Sequence, residues 1–282
     1  MRFGLIGYGS IVRQMLAVLT RELDAPLDAI ICLAKPEGAA RARELLETFG
    51  AKLASERLIV SDVAALLTAN PDFVAEAAGH EALAANAAAV LQSGRDLIVT
   101  SVGALSDDNL RAMLDHAARA GDARYILCAG AVGGLEILAA AKLAGLTELV
   151  YTSRKPPSAW RGTAAETLVD LDSLREPQQF FEGSARVAAR DYPQNANVAA
   201  TLALHGAGLD QTRVRLIADP HVARNTHEIS LRSACVDIEI KIAGVPSPDN
   251  LKTSMTTGYA LAAQILGLLG KQEQKARDVF HR

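Results

Sequence analysis

The feature that most constrains this chain is a glycine-rich turn directly after its first apolar segment. The run Phe3–Ile6 ends at Gly7 and Gly9, and a segment with helical spacing begins at once with Ser10 and Ile11. A strand, a tight turn and a helix N-terminus form an anion site, because backbone N–H groups and the helix dipole favour a phosphate. The pattern predicts a dinucleotide-binding turn built from Gly7, Gly9, Ser10 and Ile11. An ordinary strand-to-helix turn that binds no nucleotide is the alternative.

The usual third glycine of such a dinucleotide motif is replaced by Val12. The first glycine permits the turn and the second lets the backbone approach the pyrophosphate, whereas the third mainly eases helix–strand packing. The replacement therefore weakens the motif without abolishing it.

The first half of the chain alternates between strand-like and helical segments. The strand-like segments after the first are Asp28–Leu33, Leu58–Val60, Asp72–Ala78, Asp96–Thr100 and Arg124–Cys128. Such alternation predicts an α/β fold, a Rossmann-type doubly wound parallel sheet whose ligands sit at the carboxyl ends of the strands. His80 falls at one of these ends, but a helix cap or a solvent-facing residue explains it better than catalysis.

Beyond residue 128 the pattern changes, since β-like runs follow one another at short spacing. They are Glu148–Ser153, Thr212–Ala218, Thr226–Leu231 and Cys235–Ile242, and a helix is predicted over residues 183–190. Consecutive strands predict a second α+β domain with a largely antiparallel sheet. We therefore divide the chain into a dinucleotide-binding domain at 1–128 and a catalytic and dimerisation domain at 129–249. A C-terminal helix at 250–282 is expected to complete the first domain.

Composition excludes several classes of partner. The 282 residues carry a net charge of −3 without a basic tract, which argues against nucleic acid. No apolar run is long enough to span a membrane, and Arg2 leads directly into a strand rather than a signal sequence. Cys32, Cys128 and Cys235 are scattered, as expected for reduced thiols of a cytoplasmic protein and not for a metal site.

The residues after the second strand bear on the choice of nucleotide. A ribose-binding carboxylate is expected near the end of this strand, but Ala34-Lys35-Pro36 stands there. Lys35, Arg41 and Arg43 could accept a 2′-phosphate, so NADP is as plausible as NAD. These cations could equally be solvated helix-surface residues.

The second half of the chain is mostly apolar, but it contains two polar clusters, Pro193–Thr201 and Asp219–Ile229. Asn195 and Asn197 lie at a helix start, where asparagine commonly caps. His221 follows Asp-Pro in a turn and is expected to be exposed. His227 opens a strand and could face a cleft, where histidine suits acid–base chemistry, although a lone strand histidine is more often structural.

The chain resembles the L-aspartate dehydrogenase family over nearly its whole length. The matching stretches are Gly7-x-Gly9-x-Ile11, Ala129–Leu135, Thr152–Pro157, Pro193–Thr201 and Asn225–Ile229. The last three together are quite specific, whereas many dehydrogenases share the first.

The resemblance implies an activity and a set of site residues. His227 corresponds to the family's catalytic histidine, and Ala131 and Asn197 correspond to positions that bind the nicotinamide nucleotide. The family forms dimers, uses NAD or NADP, and oxidatively deaminates L-aspartate through iminosuccinate to oxaloacetate and ammonia, a reaction of NAD biosynthesis. Lys155 and Arg154 are candidates for holding the substrate carboxylates, although either could be only a surface charge.

Two other functions remain open from the sequence. One is a related two-domain reductase of another small dicarboxylic or imine substrate, since asparagine and histidine do not fix the substrate. The other is a non-catalytic nucleotide-binding sensor, which the incomplete glycine motif would suit.

Overall fold

The computed structural model describes the backbone of residues 1–193, 196–248 and 250–280, and the side chains of these residues except 250–252 and 271–280. The chain folds into two compact units. The first contains Met1–Ser101, Asn109–Cys128 and the C-terminal residues from Thr257, and the second contains Val102–Asp108 and Ala129–Thr256.

The first unit is built on a six-stranded parallel sheet with the order β3-β2-β1-β4-β5-β6. Its strands are β1 Arg2–Ile6, β2 Leu27–Leu33, β3 Ala54–Val60, β4 Phe73–Glu76, β5 Asp96–Val99 and β6 Tyr125–Leu127. Its helices are α1 Ser10–Glu22, α2 Ala39–Phe49, α3 Val63–Thr68, α4 His80–Gln92 and α5 Asp108–Ala120, which begins in the second unit. The predicted Rossmann-type sheet is confirmed, and its strand order changes direction at β1, where the glycine turn begins.

The core of this unit is apolar and includes the last helix. Phe3 and Leu5 of β1 share one buried cluster with Met15 of α1 and with Leu261 and Ile265 of α9, Met255–Phe280. The sequence predicted a helix from residue 250, which is wrong at its start, because Asn250–Ser254 pairs with Pro246–Ser247 as a short antiparallel ribbon, β13 with β12. Residues 281–282 of the predicted helix lie outside the described residues.

The second unit contains a five-stranded sheet with the order β11-β10-β7-β9-β8. Its strands are β7 Leu146–Lys155, β8 Gln178–Ser184, β9 Arg213–Ala218, β10 Thr226–Ser233 and β11 Asp237–Ala243. Only β7 and β9 pair in parallel, so the predicted largely antiparallel sheet is confirmed. The predicted helix over residues 183–190 is α7, Ala185–Asp191, and the strand before it was not predicted. That strand, β8, was missed because its apolar residues Phe180 and Phe181 are adjacent, whereas a strand pattern alternates apolar and polar residues.

Helices cover one face of this sheet. They are α6 Leu135–Leu143 and α8 Ala196–His205, together with α7. Leu149 of β7 and Leu138 of α6 meet beside Gly206, where a Cβ atom would lie 2.7 and 3.1 Å from their methyl groups. Because side chains alternate along a strand, Tyr151, Ser153 and Lys155 project to the same helix-covered face as Leu149.

Two features are absent from the part of the chain that the structure describes. None of the helices there is long and apolar enough to cross a membrane. Nor do those residues include a group of three or more His, Cys, Asp or Glu side chains arranged to bind a metal ion.

Candidate functional site

The turn after β1 has a backbone that only glycine suits at its first position. Gly7 has a φ of +119°, and a Cβ atom there would lie 2.7 Å from the carbonyl oxygen of Ala77. A side chain at Gly7 would therefore be strained by its own backbone and would also push the β4–α4 loop away. The predicted role of Gly7 in permitting the turn has a direct physical cause.

Gly9 leaves open space in front of the first helix. It stands at the N-cap of α1, and a Cβ atom on it would meet no protein atom within 4 Å. Ser10 and Ile11 are the first two residues of α1, so their N–H groups belong to the unsatisfied first turn of a helix. The space beside Gly9 and these N–H groups fit a bound phosphate.

Val12 stands where dinucleotide motifs usually carry a third glycine, and its side chain is completely buried in the core cluster. The packing of α1 on the sheet is thus made with a valine side chain instead of a close glycine contact. The departure from the motif affects the core and does not occupy the open space beside Gly9.

A cleft of about 930 Å³ lies at the carboxyl ends of β1, β2 and β4. Its walls are the glycine turn, the segment after β2 and the start of α4, and the lining residues are Ile6–Gly9, Leu33, Lys35, Glu37, Arg41, Ala77–Ala82, Ala85 and Asn86. This is where open parallel sheets bind their ligands, and the volume suits a nucleotide. The cleft includes the predicted Gly7 and Gly9.

The segment after β2 corrects one expectation from the sequence. No ribose carboxylate was visible after Leu33, yet Glu37 lines the cleft from a short 3₁₀ helix, Pro36–Gly38. It was missed because this turn carries the carboxylate four residues past the strand end. Lys35 and Arg41 line the same cleft, as expected for phosphate-binding candidates. Arg43 does not, because two residues along α2 it points roughly 200° away from Arg41.

Tyr8 forms the outer edge of this wall. Its hydroxyl packs so closely on Gly38 that a Cβ atom there would lie 1.8 Å from it, and the Arg41 guanidinium lies 5.8 Å from the ring centroid. The contact between the tyrosine and the guanidinium orients Arg41 towards the cleft that both residues line.

A buried carboxylate organises the loop opposite the glycine turn. Glu76, the last residue of β4, is fully buried and accepts hydrogen bonds from the N–H groups of Ala78 (2.8 Å) and Gly79 (2.9 Å). It also accepts from the Ser101 hydroxyl at 2.7 Å and the Ser101 N–H at 3.1 Å. The sequence analysis missed this residue, although a lone charge within the apolar run Phe73–Ala78 was a visible signal.

His227 lies in the second unit, as the second residue of β10, and only 6% of it is exposed. Its Nδ1 lies 2.8 Å from the Tyr151 hydroxyl, and the two rings are nearly parallel at 6.0 Å between centroids. Burial, with a smaller contribution from the charge of Lys155, lowers the pKa of His227 to about 4. The imidazole is therefore neutral near pH 7, and Nδ1 is the ring nitrogen that contacts Tyr151.

Tyr151 was missed by the sequence analysis, although its alternation with Ser153 on a strand was visible. Its phenol is fully buried, which raises its pKa and keeps it protonated. The hydroxyl can donate to Nδ1 of His227, or accept from it when Nδ1 carries the proton. Tyr151 can thus hold the His227 ring in either protonation state.

Lys155 and Arg154 were both candidates for binding substrate carboxylates, and the strand separates them. Lys155 is 8% exposed, lies on the same sheet face as Tyr151, and places its ammonium 4.9 Å from the ring centroid of Trp160. Arg154 projects to the opposite face, where its guanidinium pairs with Asp219 at 2.9 Å and Glu228 at 3.2 Å. Its charge is used within the protein.

Asn197 and Ala131, the predicted nicotinamide-binding positions, also lie in the second unit. Asn197 is the second residue of α8, and its side-chain oxygen accepts the Gly103 N–H at 2.9 Å. Ala131 is buried in the glycine-rich loop before α6. Asn195 lies outside the described residues. His221 is exposed, as expected.

Comparison with known proteins gives a consistent assignment along the chain. A family profile described as homoserine dehydrogenase, NAD binding domain, matches residues 7–127, and one described as aspartate dehydrogenase, C-terminal, matches residues 136–268. The L-aspartate dehydrogenase of Polaromonas sp. is 42% identical over 94% of this chain and 97% of its own length. Those of Ralstonia pickettii and Pseudomonas aeruginosa are each 42% identical over 91% of this chain and 93% of their own.

Solved structures agree with the sequence matches. Aspartate dehydrogenase from Thermotoga maritima superposes with a TM-score of 0.71 at 25% identity, covering 95% of this chain and 96% of that one. An amine dehydrogenase from Mycobacterium smegmatis reaches 0.54 at 13% identity over 92% and 90% of the two chains, a likeness of fold alone.

Proposed function

This chain belongs to the L-aspartate dehydrogenase family, and we propose that it catalyses the NAD(P)-dependent oxidative deamination of L-aspartate to oxaloacetate and ammonia, or the reverse. The observation that carries this proposal is the match to L-aspartate dehydrogenases at 42% identity over 94% of the chain. The buried, neutral histidine of the second unit supports it, because this reaction needs a proton acceptor at neutral pH.

Two sets of residues are proposed to hold the nucleotide, the glycine turn after β1 and the two positions that the family resemblance identifies. Gly7, Gly9 and the first turn of α1 at Ser10 and Ile11 fit the pyrophosphate, because Gly9 leaves the space that a side chain would fill. Ala131 and Asn197 are proposed to contact the nicotinamide end, on the family resemblance. Bound NAD or NADP supplies the hydride acceptor for oxidation at Cα of the amino acid.

His227 is proposed as the general base. Oxidation of an amino acid to an imine requires a lone pair on nitrogen, so the substrate ammonium must first lose a proton. A neutral imidazole accepts that proton at Nε2, while its Nδ1–H donates to the Tyr151 hydroxyl. Once the imidazolium has released this proton to solvent, the imidazole is again a base and removes a proton from the water that adds to iminosuccinate, and ammonia then leaves.

A panel of L-amino acids assayed for NAD and NADP reduction tests the substrate. L-Aspartate should react with a kcat/KM well above that of L-glutamate, L-alanine and L-homoserine. A much faster reaction of glutamate or homoserine would instead identify a related dehydrogenase on the same fold. Tight nucleotide binding without turnover of any acid or imine would identify a nucleotide sensor.

We also propose that the protein acts as a homodimer, since the family resemblance implies one. Analytical ultracentrifugation should give a species of twice the 29.8 kDa chain mass. A single species at the chain mass, across micromolar concentrations and with nucleotide present, would contradict the dimer without affecting the proposed reaction.

A further inference from the structure

We propose that Lys155 and Ser153 form the carboxylate-binding part of the substrate site beside His227. The Lys155 ammonium would pair with one carboxylate of a dicarboxylic substrate, and the Ser153 hydroxyl would donate a hydrogen bond to it. This inference rests on the proposed function, because it takes a dicarboxylic amino acid as the ligand.

The register of the sheet brings these side chains together. Ser153 of β7 lies directly opposite His227 of β10, and Lys155 follows two residues later on the same face. Diagonal neighbours of an antiparallel pair are roughly 7–8 Å apart, within reach of a long side chain. One substrate could therefore contact the imidazole and the ammonium at the same time.

Ser153 carries an unused hydrogen-bonding group at this point. The residue is 1% exposed, and its Oγ reaches no partner with hydrogen-bond geometry among the described residues. It lies close enough to the Tyr151 hydroxyl to influence the pKa of that phenol, though burial dominates that pKa. Because a buried hydroxyl without a partner is costly, an acceptor such as a carboxylate oxygen would stabilise the site.

Lys155 places a positive charge where the local surroundings strengthen it. The lysine and His227 are 8% and 6% exposed, and Trp160 beneath the ammonium is fully buried. Electrostatic attraction to an anion is stronger in such a setting than at a wet surface. Arg154 cannot serve this purpose, because it points to the other face and already pairs with two carboxylates.

The charge of Lys155 also couples the two parts of the site. After burial, it is the second cause that lowers the pKa of His227. A carboxylate paired with Lys155 would offset this charge, so the pKa of His227 should rise when a dicarboxylate binds. The histidine would become a better base when a substrate is in place.

Calorimetric titration of the NADH-bound enzyme with succinate tests the site, because succinate has two carboxylates and no amine to react. Lys155→Met should weaken succinate binding at least tenfold and raise the KM for L-aspartate at least tenfold. Ser153→Ala should weaken succinate binding severalfold, and Lys155→Arg should recover part of the loss. Free succinate is partly protonated at pH 5.5 and releases protons when its dianion binds, so proton uptake by His227 should make the net release smaller in the wild type than in Lys155→Met.

Lys241→Met is the matched control, since Lys241 is an exposed lysine of β11 that pairs with Glu228. It removes the same charge from the same unit and should leave succinate affinity and KM unchanged. If folded Lys155→Met binds succinate normally with an unchanged KM, the lysine serves only packing against Trp160 and the inference is overturned. Should Lys155→Met not fold, normal succinate binding by both Lys155→Arg and Ser153→Ala overturns it instead.

The two proposals fail in different ways. A wild-type enzyme that binds succinate through Lys155 but oxidises no L-aspartate would contradict the proposed function and leave the carboxylate site standing. If the wild-type enzyme oxidises L-aspartate and Lys155→Met has the same KM, the proposed function stands and the carboxylate site is contradicted. Absence of saturable succinate binding to the wild type would overturn the carboxylate site.

Discussion

Three consecutive residues of β7 are divided between the two faces of the sheet, because strand side chains alternate. Ser153 and Lys155 face His227 on the helix-covered side, whereas Arg154 faces the other side and forms ion pairs with Asp219 and Glu228. Adjacent cations in the sequence are therefore not equivalent in the protein. The role proposed for each follows from its side of the sheet rather than from its charge.

His227→Ala should lower kcat by about 10²–10⁴-fold, the usual contribution of a positioned acid or base. Affinity for NADH should change little, because the imidazole is proposed to act on the substrate. Steady-state kinetics, fluorescence titration with NADH and a thermal melt of the variant measure these effects together.

The control for this substitution is His221→Ala, whose imidazole is 60% exposed and should be dispensable for turnover. A structural role for His227 would instead lower the free energy of unfolding by about 0.5–3 kcal/mol and spare the turnover of folded molecules. Near-normal kcat in folded His227→Ala would remove this histidine from the mechanism.

The pKa of His227 also predicts a dependence of stability on pH. Its folded pKa of about 4 lies below the unfolded value of about 6.5, so the unfolded state binds more protons between them. Wild-type stability should fall relative to His227→Gln as pH drops below 6.5, by roughly 2 kcal/mol at pH 5. Urea unfolding of both proteins at pH 7 and pH 5 measures the difference, and parallel behaviour would contradict the lowered pKa.

At the scale of elements, the cleft of the first unit depends on the loop between β4 and α4 keeping its place against the glycine turn. The Ala77 carbonyl oxygen lies 2.7 Å from the place that a Cβ atom of Gly7 would take, and the Glu76 carboxylate accepts the N–H groups of Ala78 and Gly79. The side chain that organises this wall lies outside the cleft lining, buried beneath the loop.

Glu76→Gln should weaken NADH binding and lower the free energy of unfolding by about 1–3 kcal/mol. The amide oxygen can keep the three donors of Oε1, but the NH2 group then faces the buried Ser101 N–H, which loses its acceptor. Isothermal titration and urea unfolding measure the two effects. Glu47→Gln, at an exposed ion pair with Arg57, should change neither, and equal behaviour of the two variants would show that the Glu76 network is not needed.

The segment after β2 should set the choice between NAD and NADP. We expect the wild type to use both, with kcat/KM values that differ by less than several hundredfold, because Lys35 and Arg41 offset the repulsion of a 2′-phosphate by Glu37. Glu37→Gln should shift the NADP/NAD ratio of kcat/KM upward by about tenfold, and Lys35→Met should shift it downward. A ratio that neither variant changes would place the ribose away from this wall.

At the scale of the whole molecule, nucleotide binding should stabilise the folded chain. A ligand that binds only the native state adds about 2.7 kcal/mol at 100 times its Kd. NADH should therefore raise the melting temperature of the wild type and leave that of Gly9→Val unchanged, because valine fills the space beside the first turn of α1. An equal shift in both proteins would show that the phosphates bind elsewhere.

The sequence by itself determined the architecture, because local patterns carry it. Alternating apolar segments predict the parallel sheet, the glycine turn at Gly7 and Gly9 needs only its neighbours, and His227 was found by its motif. These features depend on local backbone conformation and on the spacing of apolar side chains, and the amino-acid sequence shows both directly. The start of α9 was placed wrongly because the short ribbon before it has no clear period, and strand β8 was missed because its two phenylalanines are adjacent rather than alternating.

Only the tertiary structure decided what surrounds each of these residues. The contact of Tyr151 with His227 depends on two strands pairing in one register although these residues are 76 positions apart, and so does the burial that lowers the histidine pKa. The position of Glu37 in the cleft wall and the burial of Glu76 likewise depend on how their segments pack within the first unit. Charge, burial and hydrogen bonding act through space over a few ångströms, and separation along the chain does not encode those distances.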